Sequence, residues 1–265
     1  MSIFSEEALK GKHILITGAT GGIGYETAKI VAGMGASVSI TGRNQEKLTQ
    51  LYTELTNVTE ESNLSVTIAD ITQTEDRVQL VKECEKKLGT ITGLVNAAAI
   101  AGNLTVDNLT EDYLNNMMNI NHTSTIMLTQ LVYQKMLKKR EGAIVNVSSL
   151  SGLRGTFSNS AYCSSKFALI GFTQSLALEA IQANIRVNAV CPGYVDTNMA
   201  RDLIEKKAKQ SGILIESKIA EIEASIPSGK ISTTIEVANT IAFLLTDATG
   251  NIIGESIKIS GGSVL

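Results

Sequence analysis

His13-Ile14-Leu15-Ile16-Thr17-Gly18-Ala19-Thr20-Gly21-Gly22-Ile23-Gly24 is the stretch on which the fold turns. Its first five residues are a short, largely apolar and β-branched run bounded by glycine, the pattern of a buried strand. The glycines that follow let the chain turn tightly into a helix expected over 22–33. A glycine-rich strand-to-helix turn also lets backbone N–H groups and a helix N-terminus approach a pyrophosphate. A tight turn in any doubly wound fold needs similar glycines. The spacing, Thr17-Gly18-x-x-x-Gly22-x-Gly24, also differs from the usual G-x-G-x-x-G fingerprint.

Outward from this turn, short β-branched runs alternate with longer amphipathic stretches. That alternation predicts an α/β doubly wound Rossmann fold with a seven-stranded parallel sheet flanked by helices on both faces. Strands are expected at roughly 13–17, 37–41, 65–69, 93–97, 143–148, 186–191 and 256–260. Helices are expected near 22–33, 44–56, 74–88, 110–139, 160–182, 199–223 and 235–246. With 265 residues, 43% of them hydrophobic and 18% charged, a single domain over 1–265 buries a full core. Repeats, low-complexity tracts and linkers are lacking, and only Pro192 and Pro227 punctuate the chain.

The charge balance of 23 basic against 26 acidic residues gives −3, without a long basic run. Nucleic acid and anionic membrane are therefore not expected partners, and a small soluble ligand is. The three cysteines, Cys84, Cys163 and Cys191, are odd in number and widely spaced, which suits a reducing compartment, the cytoplasm by default. The polar start lacks the features of a signal peptide, and no apolar run approaches a membrane span. Two histidines leave little material for a histidine-based triad or metal site, and none is expected.

Tyr162 and Lys166 stand four apart in an apolar run without proline, hence one helical turn apart on one face. An ammonium beside a phenol stabilises the phenolate and pulls its pKa from about 10 towards a useful range. The same spacing is common on ordinary helices. Cys163, next to the tyrosine, points elsewhere on the helix and reads as a small buried residue.

Taken together, the turn at 17–24, Ser149 thirteen residues before Tyr162, the Tyr162-x-x-x-Lys166 pair and Pro192-Gly193 resemble the short-chain dehydrogenase/reductase family. The likeness is to its single-domain, 3-oxoacyl reductase-like members and spans essentially the whole chain. The segments 188–197 and 259–262 fall where that family has similar ones. The resemblance implies a catalytic set of Asn121, Ser149, Tyr162 and Lys166. Asn121 would interrupt a helix and hold a water leading towards Lys166, and Ser148 is the near competitor of Ser149. It also implies that Gly18, Thr20, Gly22, Ile23 and Gly24 bind the cofactor diphosphate. Asp70 and Ile71 would meet the adenine, although an aspartate that caps the next helix looks the same in sequence.

At the end of the second strand there is no acid to bind the adenosine ribose. Arg43 stands there instead, which favours NADP(H), with NAD(H) the alternative. Asn96 is expected to brace the central sheet near the cofactor; Ala97 and Ala99 stand where the family usually has asparagine and glycine. Pro192, Gly193, Val195 and Thr197 follow the sixth strand, with Thr197 placed for the nicotinamide carboxamide. The segment 198–229 matches the family's substrate lid. Leu153, Phe157, Tyr194 and Met199 are candidate pocket walls, and Arg154 a candidate anion clamp.

The implied activity is reversible hydride transfer between NADP(H) and a carbonyl or secondary alcohol, with Ser149 bonding the oxygen, Tyr162 as acid/base, and Lys166 lowering its pKa and holding the nicotinamide ribose. The alternatives are an NAD-dependent sugar, polyol or hydroxysteroid dehydrogenase, and a non-catalytic dinucleotide-binding regulator or scaffold. The predicted helix over 160–182 is apolar around most of its circumference and reads as buried on two sides; family assemblies built on that helix imply a homotetramer or homodimer.

Overall fold

A computed structural model describes residues 5–265. Its centre is one seven-stranded parallel sheet in the order β3-β2-β1-β4-β5-β6-β7. The strands are β1 (His13–Thr17), β2 (Ser37–Gly42), β3 (Leu64–Ile68), β4 (Gly93–Asn96), β5 (Gly142–Val147), β6 (Ile185–Pro192) and β7 (Ser256–Ile259). Both β2 and β4 pair with β1, so successive connections depart in opposite directions from that point. Such a switch opens a crevice at the carboxyl ends of the strands.

Two apolar cores cover the two faces, as a sheet buried on both sides requires. One packs α1 (Gly22–Gly33), α2 (Gln45–Leu55) and α9 (Thr234–Leu245) on the sheet through residues such as Val31, Leu51 and Ile241. The other uses α3 (Thr74–Leu88), α5 (Ser124–Lys139) and α6 (Ser160–Ala180), through Leu80, Val132 and Leu176. The expected strands and helices are all present, with ends shifted by one or two residues, apart from two stretches.

The expected helix over 110–139 is α4 (Glu111–Met118) and α5 joined by a π-helical turn, Asn119–Thr123, in which the Ser124 N–H bonds the Asn119 carbonyl five residues back. The stretch over 199–223 is likewise two helices, α7 (Asn198–Ser211) and α8 (Ile215–Ser225). Gly212 separates them at φ +65°, a left-handed conformation that glycine adopts without strain. These two helices have a small core of their own, formed by Ile204, Ile222 and Ile226. Among the described residues, no helix is long and apolar enough to cross a membrane.

Candidate active site

The carboxyl ends of β1, β4, β5 and β6 open into one cavity of about 590 Å³, walled on the far side by residues of α7 and the end of α8. At its β1 end lies the glycine turn. Gly18 has φ +64°, and a Cβ there would stand 2.6 Å from the Ala98 nitrogen. Only glycine meets both demands. The Thr17 hydroxyl accepts from the N–H groups of Ala97 (3.1 Å) and Ala98 (3.2 Å), tying the loop after β4 to this turn. Ala97 and Ala99 both face the cavity, so their methyl groups are part of its wall.

The first turn of α1 carries no acidic residue, and its N-cap, Gly21, offers no side-chain acceptor. Helix N-terminal N–H groups left without a cap suit an anion. Gly18, Thr20, Gly22, Ile23 and Gly24 all line the cavity here. These residues fit a dinucleotide diphosphate.

Arg43, Asp70 and Ile71 lie outside the cavity lining. Arg43 is exposed and its guanidinium is 3.8 Å from the Asp70 carboxylate. Burial raises the Asp70 pKa, but the Thr72 N–H and hydroxyl, with Arg43, outweigh it and hold the carboxyl below its ordinary range. Ile71 is buried, and its carbonyl accepts from Arg77 at 2.6 Å. Asn96 is buried too, donating to Asn146 (2.8 Å) and Thr129 (2.9 Å). It braces the centre of the sheet from beneath the site.

At the β5 end the two serines part company. Ser148 is buried and donates to the Lys166 carbonyl at 3.2 Å, whereas Ser149 caps the short turn after β5, its oxygen accepting from the Ser151 N–H at 3.1 Å. Tyr162 and Lys166 share one face of α6, the Nζ 5.7 Å from the ring centroid. Lys166 is buried and donates to the Val147 carbonyl at 2.9 Å. Ser149, Tyr162 and Lys166 all border the cavity.

Burial pushes Lys166 down to about 8, with the nearby Cys191 thiol opposing. It pushes Tyr162 up to about 12; Ser149 opposes that shift and Cys163 adds to it. The expected lowering of the phenol by Lys166 is thus not what the chain's own groups produce. The ammonium is aimed at Val147, and desolvation of the phenolate dominates. At neutral pH the phenol is held protonated, as a proton donor must be.

Asn121 is buried within the π turn. It accepts from the Ile100 N–H at 2.8 Å and donates to the Ile100 carbonyl (2.9 Å) and Ser165 hydroxyl (3.1 Å). Ser165 in turn donates to the Tyr162 carbonyl at 2.8 Å. The Asn121 side chain is therefore engaged with the loop after β4 and with Ser165 of α6, and it does not border the cavity. Pro192, Gly193, Val195 and Thr197 do border it, with Thr197 also capping α7 through the Ala200 N–H.

Phe157, Tyr194, Met199 and Arg154 line the cavity as expected, but half-buried Leu153 does not. The wall also includes Lys47, Lys207 and Lys230, which sequence reasoning passed over. Lys47 had a local signal, a cation in the first turn of the helix after Arg43. Lys207 and Lys230 had none, because the packing of α7 and of the loop between α8 and α9 brings them in.

Comparison with known proteins agrees with this geometry. A family model described as short chain dehydrogenase matches residues 12–208. A 3-oxoacyl-[acyl-carrier-protein] reductase of Thermotoga maritima is 34% identical over 257 residues, covering 97% of this chain and 99% of the relative. The Rickettsia felis protein of that name is 32% identical over 97% of this chain and 98% of its own. Among solved structures, an actinorhodin polyketide ketoreductase with NADPH superposes with TM-score 0.91 at 29% identity, over 95% of this chain and 97% of its own. The glycine turn, the serine at a strand end and the tyrosine–lysine helix that meet in one cavity are those of a chain that belongs to the short-chain dehydrogenase/reductase family.

Proposed function

We propose that the protein is an NADP(H)-dependent carbonyl reductase acting on a 3-oxoacyl thioester or a related ketone, and yielding the secondary alcohol. The observation that carries this reading is the convergence of Ser149, Tyr162 and Lys166 on the cavity that also receives the uncapped N-terminus of α1. The names of the relatives and the NADPH bound to the ketoreductase support the substrate class and the cofactor.

When bound, the cofactor supplies the hydride that reduces the carbonyl carbon. The Ser149 hydroxyl donates to the carbonyl oxygen and stabilises the negative charge that develops there. Tyr162 gives that oxygen its phenolic proton, favoured by a site that keeps the phenol protonated. Lys166, the nearest cation, stabilises the phenolate left behind, and its depressed pKa of about 8 lets it pass a proton onwards. The Asn121 amide is engaged with Ile100 and Ser165, so in this relay it braces the loop after β4 against α6. Arg43 is exposed and has only a long contact to Asp70, which leaves it available to a 2′-phosphate.

The same reading places α7 and α8 as a lid over the substrate and the protein in the cytoplasm, as a homotetramer or homodimer. Supporting the last, Phe167, Gly171, Gln174 and Leu178 form one exposed face of α6, with Leu178 77% exposed.

Replacing Tyr162 with Phe removes the proton donor and little else. The expected result is a folded protein that binds NADPH normally, with kcat for ketone reduction lower by about a thousandfold. A folded Tyr162→Phe protein with wild-type kinetics would overturn the reading.

A further inference from the structure

Among the described residues, five cationic side chains line the cavity, Lys47, Arg154, Lys166, Lys207 and Lys230, and no aspartate or glutamate does. The chain as a whole carries −3, so the bias is local. Lys166 belongs to the catalytic helix, Lys47 lies on α2 beyond the glycine turn, and Lys230 is neutralised by Glu236 at 2.6 Å. Arg154 and Lys207 remain. Arg154 is exposed on the loop that follows Ser149, and Lys207 comes from α7.

Of the other cations of α7, Arg201 pairs with Asp196 and Lys209 with Glu205, while Lys206 is exposed and lies outside the cavity lining. Lys207 has no acidic partner among the described residues. Instead its half-buried ammonium donates to the Tyr194 hydroxyl at 2.8 Å and lies 5.5 Å from the centroid of that ring. Tyr194 directly follows Pro192-Gly193 and is itself part of the cavity wall. A phenol holds an ammonium in place without cancelling its charge, and two of the three N–H donors stay free. Bonds from such a donor to an anion are the strong, charge-assisted kind.

We infer that the substrate carries an anionic group, a carboxylate or a phosphate, away from its reacting carbonyl, and that Lys207, anchored by Tyr194 and assisted by Arg154, recognises it. The inference rests on the carbonyl-reductase reading of the same cavity and narrows its substrate class. Phe157, 92% exposed, and Met199, 44% exposed, give the cavity an apolar stretch of wall, which suits an apolar body between carbonyl and anion.

The test uses two matched pairs of substrates with NADPH: a medium-chain keto acid and its methyl ester, and a 3-oxoacyl coenzyme A thioester and its phosphate-free N-acetylcysteamine counterpart. In the wild type, kcat/KM is expected to favour the anionic member of at least one pair, and which pair responds tells carboxylate from phosphate. Lys207→Met should lower that anionic-to-neutral ratio about tenfold or more, and Lys207→Arg should restore most of it. The KM for NADPH should stay unchanged, which separates substrate recognition from cofactor binding. A wild type indifferent to the anion, an equal loss on both members of each pair, or a change confined to the NADPH KM would overturn the inference while leaving the reductase reading intact. If no compound is reduced although NADPH binds, it is the reductase reading that fails. Calorimetric titration of the keto acid and the coenzyme A thioester into NADP+-saturated protein then decides the anion site: weaker binding by Lys207→Met supports it, and equal binding overturns it.

Discussion

Lys166 is buried beside the phenol it serves, with one hydrogen bond to the Val147 carbonyl and no carboxylate to balance its charge. Its pKa falls from 10.5 in the unfolded chain to about 8 in the fold. Below about pH 8 the folded protein therefore bears a buried charge that the unfolded chain solvates freely, at a cost on the order of 3 kcal/mol. That cost fades as the pH rises from about 8 to 10.5. Lys166→Met forfeits the bond to Val147, worth about 1 kcal/mol, but sheds the larger penalty. The variant should be inactive yet more stable than wild type at pH 7 in urea unfolding, with the margin falling to zero at about pH 10 and reversing by about 1 kcal/mol at higher pH, where only the lost bond to Val147 counts. A variant less stable at pH 7 would show that the ammonium is better solvated than its burial implies. Tyr162 works in the opposite sense, with a folded pKa raised from 10 to about 12, so its stabilisation is present below pH 10 and is lost as pH rises through 12. Both proteins share that change. The Tyr162–Lys166 spacing was legible in the sequence because four residues make a helical turn. The pKa values were not, since they depend on what surrounds the two groups in space.

At the scale of elements, the π turn between α4 and α5 links three parts of the site. Asn121 bonds both backbone groups of Ile100 and the Ser165 hydroxyl, and Ser165 holds the Tyr162 carbonyl. Asn121→Ala would leave the N–H and carbonyl of half-buried Ile100 without this partner, at about 1 kcal/mol each. We expect a lower urea midpoint together with a reduced kcat, because Ser165, which bonds the Tyr162 carbonyl, loses its tie to the π turn. Wild-type stability and kcat in this variant would show the network to be dispensable. The interruption of this helix was expected only from the family resemblance; periodicity alone continued the helix over 110–139, because one extra residue in a turn barely disturbs an apolar pattern. The break at Gly212 was missed for a related reason. A lone glycine between two amphipathic stretches is tolerated in a helix, and only its left-handed φ ends one.

For the molecule as a whole, the exposed face of α6 is where the proposed assembly is tested. Light scattering on the purified protein should give a dimer or tetramer mass, and the Phe167→Glu, Leu178→Glu double variant should give smaller species with its fold intact. A monomeric wild type would remove the proposal. The sequence by itself determined the order and type of the elements, because β-branched runs, helical periodicity and glycine turns are local properties of the chain. It also marked Ser149, Tyr162 and Lys166, whose spacing and order persist however the segments pack. Only the tertiary structure decided that the Ser148 hydroxyl is spent on the Lys166 carbonyl while Ser149 caps the turn after β5, that Arg43 stands beside Asp70, and that Asn146 and Thr129 are the partners of Asn96. It alone placed Lys207 against Tyr194, thirteen residues away in sequence, in the wall of the cavity that Tyr162 also borders. Burial, charge balance and the meeting of distant segments are set by packing in three dimensions, and no local pattern in the chain encodes them.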